Sequence, residues 1–522
     1  MFNCYKTCLV SLFVASVSSY NILGLFPLPM KSHYLVFDAL MIELSRRGHN
    51  VTNYNTFVKN YSMSNYHEVD ITHCFDAPDM SNLLTCSKGP PKPGHFMLKV
   101  HQSYDQITKC IPLMNLLNTT VKYDVIITEI FNTEFFVLFG VELGISVIAF
   151  HANSLSNIHG RMIGLSSNPS YIPNLWSGYI SNSKMNFLQR LRNMMLNFYG
   201  IFWYNLVRRE YNEIAERIFG SDVPQLENLA GNISFMFSYA HFAINSVRPL
   251  VPNVAEVGGL NIRSSQPLPQ NIEKFINESK HGVVYFCMGS LLRGETFPPE
   301  KREAFLYAFS KIPQRVLWKW EGDVLPGKSD NIMISKWMPQ RDILAHPNVK
   351  LFISHGGLLG TSEAVYEGVP VLGIPIFGDQ RTNIKSLEAN GAGELLDYNE
   401  ISKEVVLEKI QRLLNDPKYK ENAKLLSDRY RDRPMSPLDT AVYWTEYVIR
   451  HKGAPHLRTA AADMPWYQYL LLDVIAFIVA VLVAGLLIIY YTTKFILRAI
   501  YGLICGGGAK KGSSKSDKKK RN

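Results

Sequence analysis

Between residues 352 and 380 the sequence FISHGGLLGTSEAVYEGVPVLGIPIFGDQ sets His355, the glycines Gly356 and Gly357, and the polar residues Glu363, Asp379 and Gln380 among apolar runs. The run 349–353 predicts a strand ending at Ser354 and His355, and the run 369–374 predicts a second strand ending before Asp379. Glu363 falls on the early turns of the helix that must join them. In open parallel sheets ligands lie at the carboxyl ends of strands, and glycines opening a helix let backbone N–H groups and the helix dipole meet phosphate. His355 can donate to a diphosphate oxygen, Glu363 can accept from both ribose hydroxyls, and Asp379 with Gln380 can hold sugar hydroxyls. Any one of these residues fits an ordinary strand-helix-strand unit; the set together points to a nucleotide sugar.

A second chemical position lies upstream. The segment PLPMKSH follows an apolar run at 22–26 and precedes a helical stretch, which puts His33 at a strand end. A neutral imidazole there can take a proton from an attacking hydroxyl. The same turn lacks GxGxxG, which counts against a nicotinamide enzyme. The chain has no CxxC or HxxxH spacing, so neither a metal nor a redox cofactor is expected.

The elements that must position these groups follow from hydrophobic patterning. From 20 to 246, apolar runs at 22–26, 51–54, 125–128 and 146–150 alternate with helical stretches at 36–47 and 135–143. After a Pro-rich linker, 247–275, strands are expected again at 283–286, 316–319, 332–335, 349–353 and 371–374. Strand alternating with helix predicts a parallel sheet in each half. The reading is an α/β chain of two Rossmann-like doubly wound domains, 20–246 and 276–465, facing across a cleft. One long apolar, aromatic and basic helical stretch, 184–210, suits either a membrane surface or the wall of a pocket.

Composition sets the compartment. Of 522 residues, 47% are apolar, enough for two cores. Residues 1–19, with Lys6 ahead of an apolar run and Val17 and Ser19 before Tyr20, read as a cleaved secretory signal. The stretch 474–493 has no charge and is long enough to cross about 30 Å of hydrocarbon. With the aromatics from Trp466 onward it makes a membrane segment, 466–493. The tail 494–522 holds nine basic residues against Asp517 alone, which is +8 of the chain's +10, so it should face the cytosol and the rest the lumen, as in a single-pass type I protein. The remainder is nearly neutral, and the pI of about 9.0 gives no support for nucleic-acid binding. Lys519 and Lys520 resemble a dilysine retrieval signal of the endoplasmic reticulum. Sequons at Asn50, Asn60, Asn118, Asn232 and Asn277 fall on the expected lumenal side. Cys74 and Cys86 could pair, though spacing does not establish it.

The pattern from Phe352, His355, Gly357 and Glu363 through Pro370 and Pro375 to Asp379 and Gln380 resembles the signature of the UDP-glycosyltransferases. The resemblance extends over nearly the whole chain and is strongest over 283–456, where RDRPMSPLDTAVYWTEYVIRHKGAPHL is similar to the insect and other animal branch. It implies a GT-B fold and inverting transfer of a hexose, glucose favoured, from UDP-sugar to a hydroxyl of a small lipophilic acceptor, in detoxification. It further implies that His33 is the base and that a carboxylate just beyond the strand 123–128 orients it. Where relatives usually have aspartate, this chain offers Glu129 directly after the strand and Glu134 five residues later; the FNTE context favours Glu134. Trp337 and Gln340 resemble the pair that stacks on uracil and bonds its edge. Ser290 and Arg248 resemble phosphate contacts. Leu359 and Gly360 stand where relatives have Asn and a small residue, so backbone N–H groups over 357–361 are expected to compensate. UDP-glucuronosyl transfer, attack by an aromatic carbon, and a catalytically silent membrane-anchored binding protein are the alternatives; acceptor and oligomeric state are left open.

Overall fold

The computed structural model describes residues 19–75, 104–131, 133–180, 184–245, 247–290 and 292–505. Most of the signal segment, Cys86, and the tail from 506 with its dilysine lie outside these residues. Residues up to Ala462 form one compact unit and those from Asp463 a second.

The first unit is built on two parallel sheets. In the first, β1 (Asn21–Phe26), β2 (Asn50–Asn55), β3 (Tyr66–Asp70), β4 (Val125–Glu129), β5 (Ser146–His151), β6 (Ile233–Ser238) and β7 (Val254–Glu256) run in the order β3-β2-β1-β4-β5-β6-β7. In the second, β8 (Val283–Cys287), β9 (Arg315–Lys319), β10 (Ile332–Ser335), β11 (Val349–Ser354), β12 (Val371–Gly373) and β13 (Gly393–Leu395) run in the order β10-β9-β8-β11-β12-β13. Each order grows outward from its first strand and then reverses through its fourth, which is the Rossmann arrangement the alternating pattern predicts. Strands β4 and β8 are buried along their full length. Val125–Ile127 of β4 and the whole of β8 read as apolar runs because helices cover both faces of a parallel sheet.

Register decides which loops meet. Leu25 pairs with Thr128, so the segments leaving β1 and β4 emerge side by side at the switch point of the first sheet. Ser354 pairs with both Cys287 and Gly373, so the loops after β8, β11 and β12 share one edge of the second. The helix Lys31–Arg46 after β1 buries Val36, Phe37, Leu40, Met41 and Leu44, a helical stripe that fixes its N-terminal turn, and His33 with it, over the sheet edge.

The carboxyl boundary of the second domain differs from the expectation. The helix Pro437–Arg450, placed by patterning in 276–465, packs against β5, β6 and β7 of the first sheet. Trp444 stacks on Phe235 at 4.7 Å, Arg47 donates to Asp439 at 2.5 Å, and His49 lies 3.3 Å from Glu446. An amphipathic helix carries no label for the sheet that will cover its apolar face, so periodicity alone could not assign it.

The cysteine pairing left open by the sequence is given by the structure. Cys74 bonds Cys110, not Cys86, across 36 residues. That bond ties the turn after β3 to the segment before the helix Ile111–Leu117. Replacing Cys110 with serine should lower unfolding free energy by about 2–4 kcal/mol, read by denaturant melts of the oxidised protein. An unchanged midpoint would deny the bridge a structural role.

In the second unit a short helix, Trp466–Tyr469, precedes the helix Leu472–Cys505, long and apolar enough to cross a membrane. This helix continues past the expected end at Thr493. Lys494, Phe495, Ile496, Leu497 and Arg498 include nothing that breaks a helix, and its described part stops just before three glycines at 506–508.

Candidate active site

His33 meets a carboxylate because β1 and β4 are neighbours. Its Nδ1 lies 2.5 Å from Glu129 Oε1, both side chains buried. Glu129 is the last residue of β4, and Thr133 Oγ1 donates to its carbonyl at 2.6 Å while accepting from the Phe131 amide, which locks the turn that follows. Phe131 packs edge-on against the imidazole at 4.9 Å. With Nδ1–H donated to Glu129, a neutral ring keeps its lone pair on Nε2.

Glu134, the favoured partner in the sequence reading, is not that carboxylate. Its turn, Glu134–Phe136, drives Phe135 and Phe136 into the core, and the Glu134 carboxylate instead accepts from His159 Nε2 at 2.7 Å. Burial would raise the Glu134 pKa, but the His159 hydrogen bond and the charges of His159 and Arg208 hold it at about 2. His159 in turn faces His151 at 3.1 Å, whose pKa burial and His159 push well below the usual value. This second buried acid-histidine pair was not anticipated; only spatial proximity reveals it.

The loops of the second sheet bring most expected donor residues to one edge. His355 sits in a slot that only glycines allow: a Cβ on Gly289 or on Gly357 would lie 2.5 Å from the imidazole. Burial, and then the charge of Lys319, lower the His355 pKa to about 4, and its buried Nδ1 has no partner. Lys319, unnoticed in the sequence, ends β9 with its ammonium on the Gly289 carbonyl at 3.1 Å and on Glu321 at 2.6 Å. Glu363 accepts from Gln340 Nε2 at 2.8 Å, and burial raises its pKa. Gln340 and Glu363 therefore act as one hydrogen-bonded unit, not as two separate contacts.

Asp379 accepts from Asn383 at 2.6 Å; burial raises its pKa, offset by that bond and by the charge of His33. The last and smallest of these effects reflects an imidazole of the first sheet lying within electrostatic range of a carboxylate of the second. Gln380 Oε1 accepts from the amides of Ile376 and Phe377, leaving its NH2 for a ligand. Trp337 is 63% exposed and Ser290 is exposed. Arg248 departs from the expected phosphate contact: it donates to the Leu155 carbonyl at 2.9 Å and to Asn157 at 3.1 Å, and burial lowers its pKa to about 10. Two donors are thus spent on a loop of the amino-terminal half.

The profile described as "UDP-glucoronosyl and UDP-glucosyl transferase" matches residues 26–506. The chain is 60% identical to "UDP-glycosyltransferase UGT5" of Dactylopius coccus over 95% of this chain and 96% of that protein. The chain belongs to the UDP-glycosyltransferase family. It is 38% identical to "UDP-glucosyltransferase 2" of the same insect over 99% of this chain and 100% of that protein, and 33% identical to "UDP-glucuronosyltransferase 1A5" of Homo sapiens over 86% and 84%. Among solved structures, the calicheamicin glycosyltransferase CalG4 superposes with a TM-score of 0.56 at 16% identity, covering 83% of this chain and 99% of that one, which identifies the fold as GT-B.

A property of this UDP-glycosyltransferase follows from its buried histidines. The pKa of His355 is held at about 4 and that of His241, by burial and then Arg433, at about 3. The unfolded chain takes up both protons near pH 6.5, whereas the folded enzyme does so only near pH 4 and below, so these two histidines favour unfolding as pH falls through that window, outweighing the opposite contribution of the raised Glu363 and Asp379. The melting temperature should fall by on the order of 5 °C between pH 7 and pH 4.5, and a scanning experiment finding it flat would contradict this.

Proposed function

We propose that the protein transfers glucose from UDP-glucose to a hydroxyl of a small lipophilic acceptor, with inversion, in the lumen of the endoplasmic reticulum and in the service of detoxification. The observation that carries the reading is the His33–Glu129 pair at one switch point, within electrostatic range of Asp379 at the edge of the other sheet. His33 Nε2 takes the acceptor's proton as the oxygen forms its bond to the anomeric carbon. The bond from that carbon to UDP breaks on the opposite face, and UDP leaves with the electron pair. Glu129 stabilises the imidazolium that results. His355, neutral, donates a hydrogen bond to the departing diphosphate, Lys319 and the N-terminus of the helix Leu358–Tyr366 offset its charge, and Asp379 with Gln380 holds the sugar. This chemistry needs neither a metal nor a redox cofactor.

Glucose is favoured by the likeness to a protein named a UDP-glucosyltransferase, and the exposed sequons at Asn50, Asn60, Asn118 and Asn277 suit a lumenal enzyme. The test is to incubate membranes bearing the full chain with UDP-glucose or UDP-glucuronic acid and a panel of phenols. UDP release with a glucoside detected by mass spectrometry is the expected result. Preference for UDP-glucuronic acid would overturn the sugar assignment, and donor binding without release would overturn catalysis.

A further inference from the structure

The long helix Phe187–Phe219 turns the wrong side outward for a soluble domain. Its inner face is fixed by polar contacts: buried Asn193 donates to the carbonyls of Pro169 at 2.8 Å and Ile172 at 2.9 Å and accepts from the Asn174 amide at 2.7 Å. Farther along the same face Tyr204, Val207 and Tyr211 are buried. The helix therefore cannot roll. On its outer face Phe187, Leu188, Leu191, Met195, Phe198 and Phe202 are each 41–71% exposed. At 3.6 residues per turn these six fall within an arc of about 100° and a length of about 24 Å. A contiguous apolar surface of this kind on a soluble domain marks an interaction site.

The flanking charges say what covers it. Arg190 and Arg192, both exposed, flank the arc on opposite sides, Arg190 with one N–H on the Met185 carbonyl at 2.8 Å and Arg192 lying 5.8 Å from the Tyr179 ring centre, and no acidic residue occurs between Lys184 and Arg209. Long basic side chains bordering an apolar stripe suit a helix lying in a bilayer interface, stem along the acyl chains and head at the phosphates. The same chain carries an apolar helix beginning at Leu472, only a short linker beyond the compact unit that ends at Ala462. A bilayer therefore lies within tether range of that unit.

We infer that the outer face of this helix, from Phe187 to Phe202, is a second membrane contact, lying flat in an anionic phospholipid surface independently of the helix Leu472–Cys505. Such a contact would hold the acceptor-binding half against the phase in which lipophilic acceptors dissolve. The inference does not depend on which sugar is transferred.

The full chain reconstituted in lipid nanodiscs, with a photoreactive diazirine on the acyl chain of phosphatidylserine, tests it. After illumination and peptide mapping, adducts are expected in 187–202 as well as in 472–505. Arg190→Gln with Arg192→Gln should reduce the 187–202 adducts about fivefold or more in anionic discs and leave those at 472–505 unchanged. Met195→Glu with Phe198→Glu should abolish the 187–202 adducts while transfer to a water-soluble phenol persists, which certifies folding. Adducts confined to 472–505 in the unaltered protein would overturn the inference. So would chemical cross-links joining 187–202 to a second copy or to another segment of the same chain.

Discussion

Glu129→Gln is expected to lower kcat by up to about 10⁴-fold with little change in the KM for UDP-sugar, the size of the loss when the carboxylate behind a catalytic histidine becomes an amide. Glutamine can still accept from His33 Nδ1–H, but it cannot balance the imidazolium that forms as the acceptor is deprotonated. Glu134→Gln should behave differently. Its carboxylate is buried against His159 and within the field of Arg208, so removing the charge leaves that arginine uncompensated and should destabilise the fold by about 3–5 kcal/mol. The enzyme that remains folded should turn over near the normal rate. Measuring kcat per folded molecule for both variants separates the roles, and an inert but stable Glu134→Gln protein would reverse the assignment.

Gly289→Ala is expected to raise the KM for UDP-sugar by about 10–100-fold, because the new methyl would sit 2.5 Å from His355 Cε1 and must push the imidazole out of its slot. Gly289 has φ +85°, a left-handed conformation that adds a backbone penalty of about 1 kcal/mol for alanine. The two effects can be told apart. Once His355→Ala has emptied the slot, adding Gly289→Ala should change donor affinity little further while still lowering stability. Additive losses in the double variant would mean that Gly289 meets the donor directly and does not act through His355.

The sequence made the scaffold and the donor loop legible because both are local. Alternating apolar runs announced the parallel strands, and His355, Glu363, Asp379 and Gln380 lie within 26 residues of one another, so their common edge follows from the strand-helix-strand reading. What stayed hidden depends on long-range packing. The choice between Glu129 and Glu134 turned on which way two phenylalanines point the following turn. The pairing of Cys74 with Cys110, the return of Pro437–Arg450 to the first sheet, and the capture of Arg248 by Leu155 and Asn157 join residues 36 to several hundred positions apart. Lys319 was overlooked because a lysine ending a strand has no motif of its own; only its contact with Gly289, beside His355, marks it.

The most direct measurement is donor binding and transfer compared in His33→Ala. If UDP-sugar is held by the carboxyl-terminal sheet and His33 acts only on the acceptor, this variant should bind UDP with unchanged Kd in titration calorimetry and lose transfer by about 10²–10⁴-fold at saturating substrates. Transfer at the normal rate, or loss of UDP affinity with an intact fold, would contradict the account.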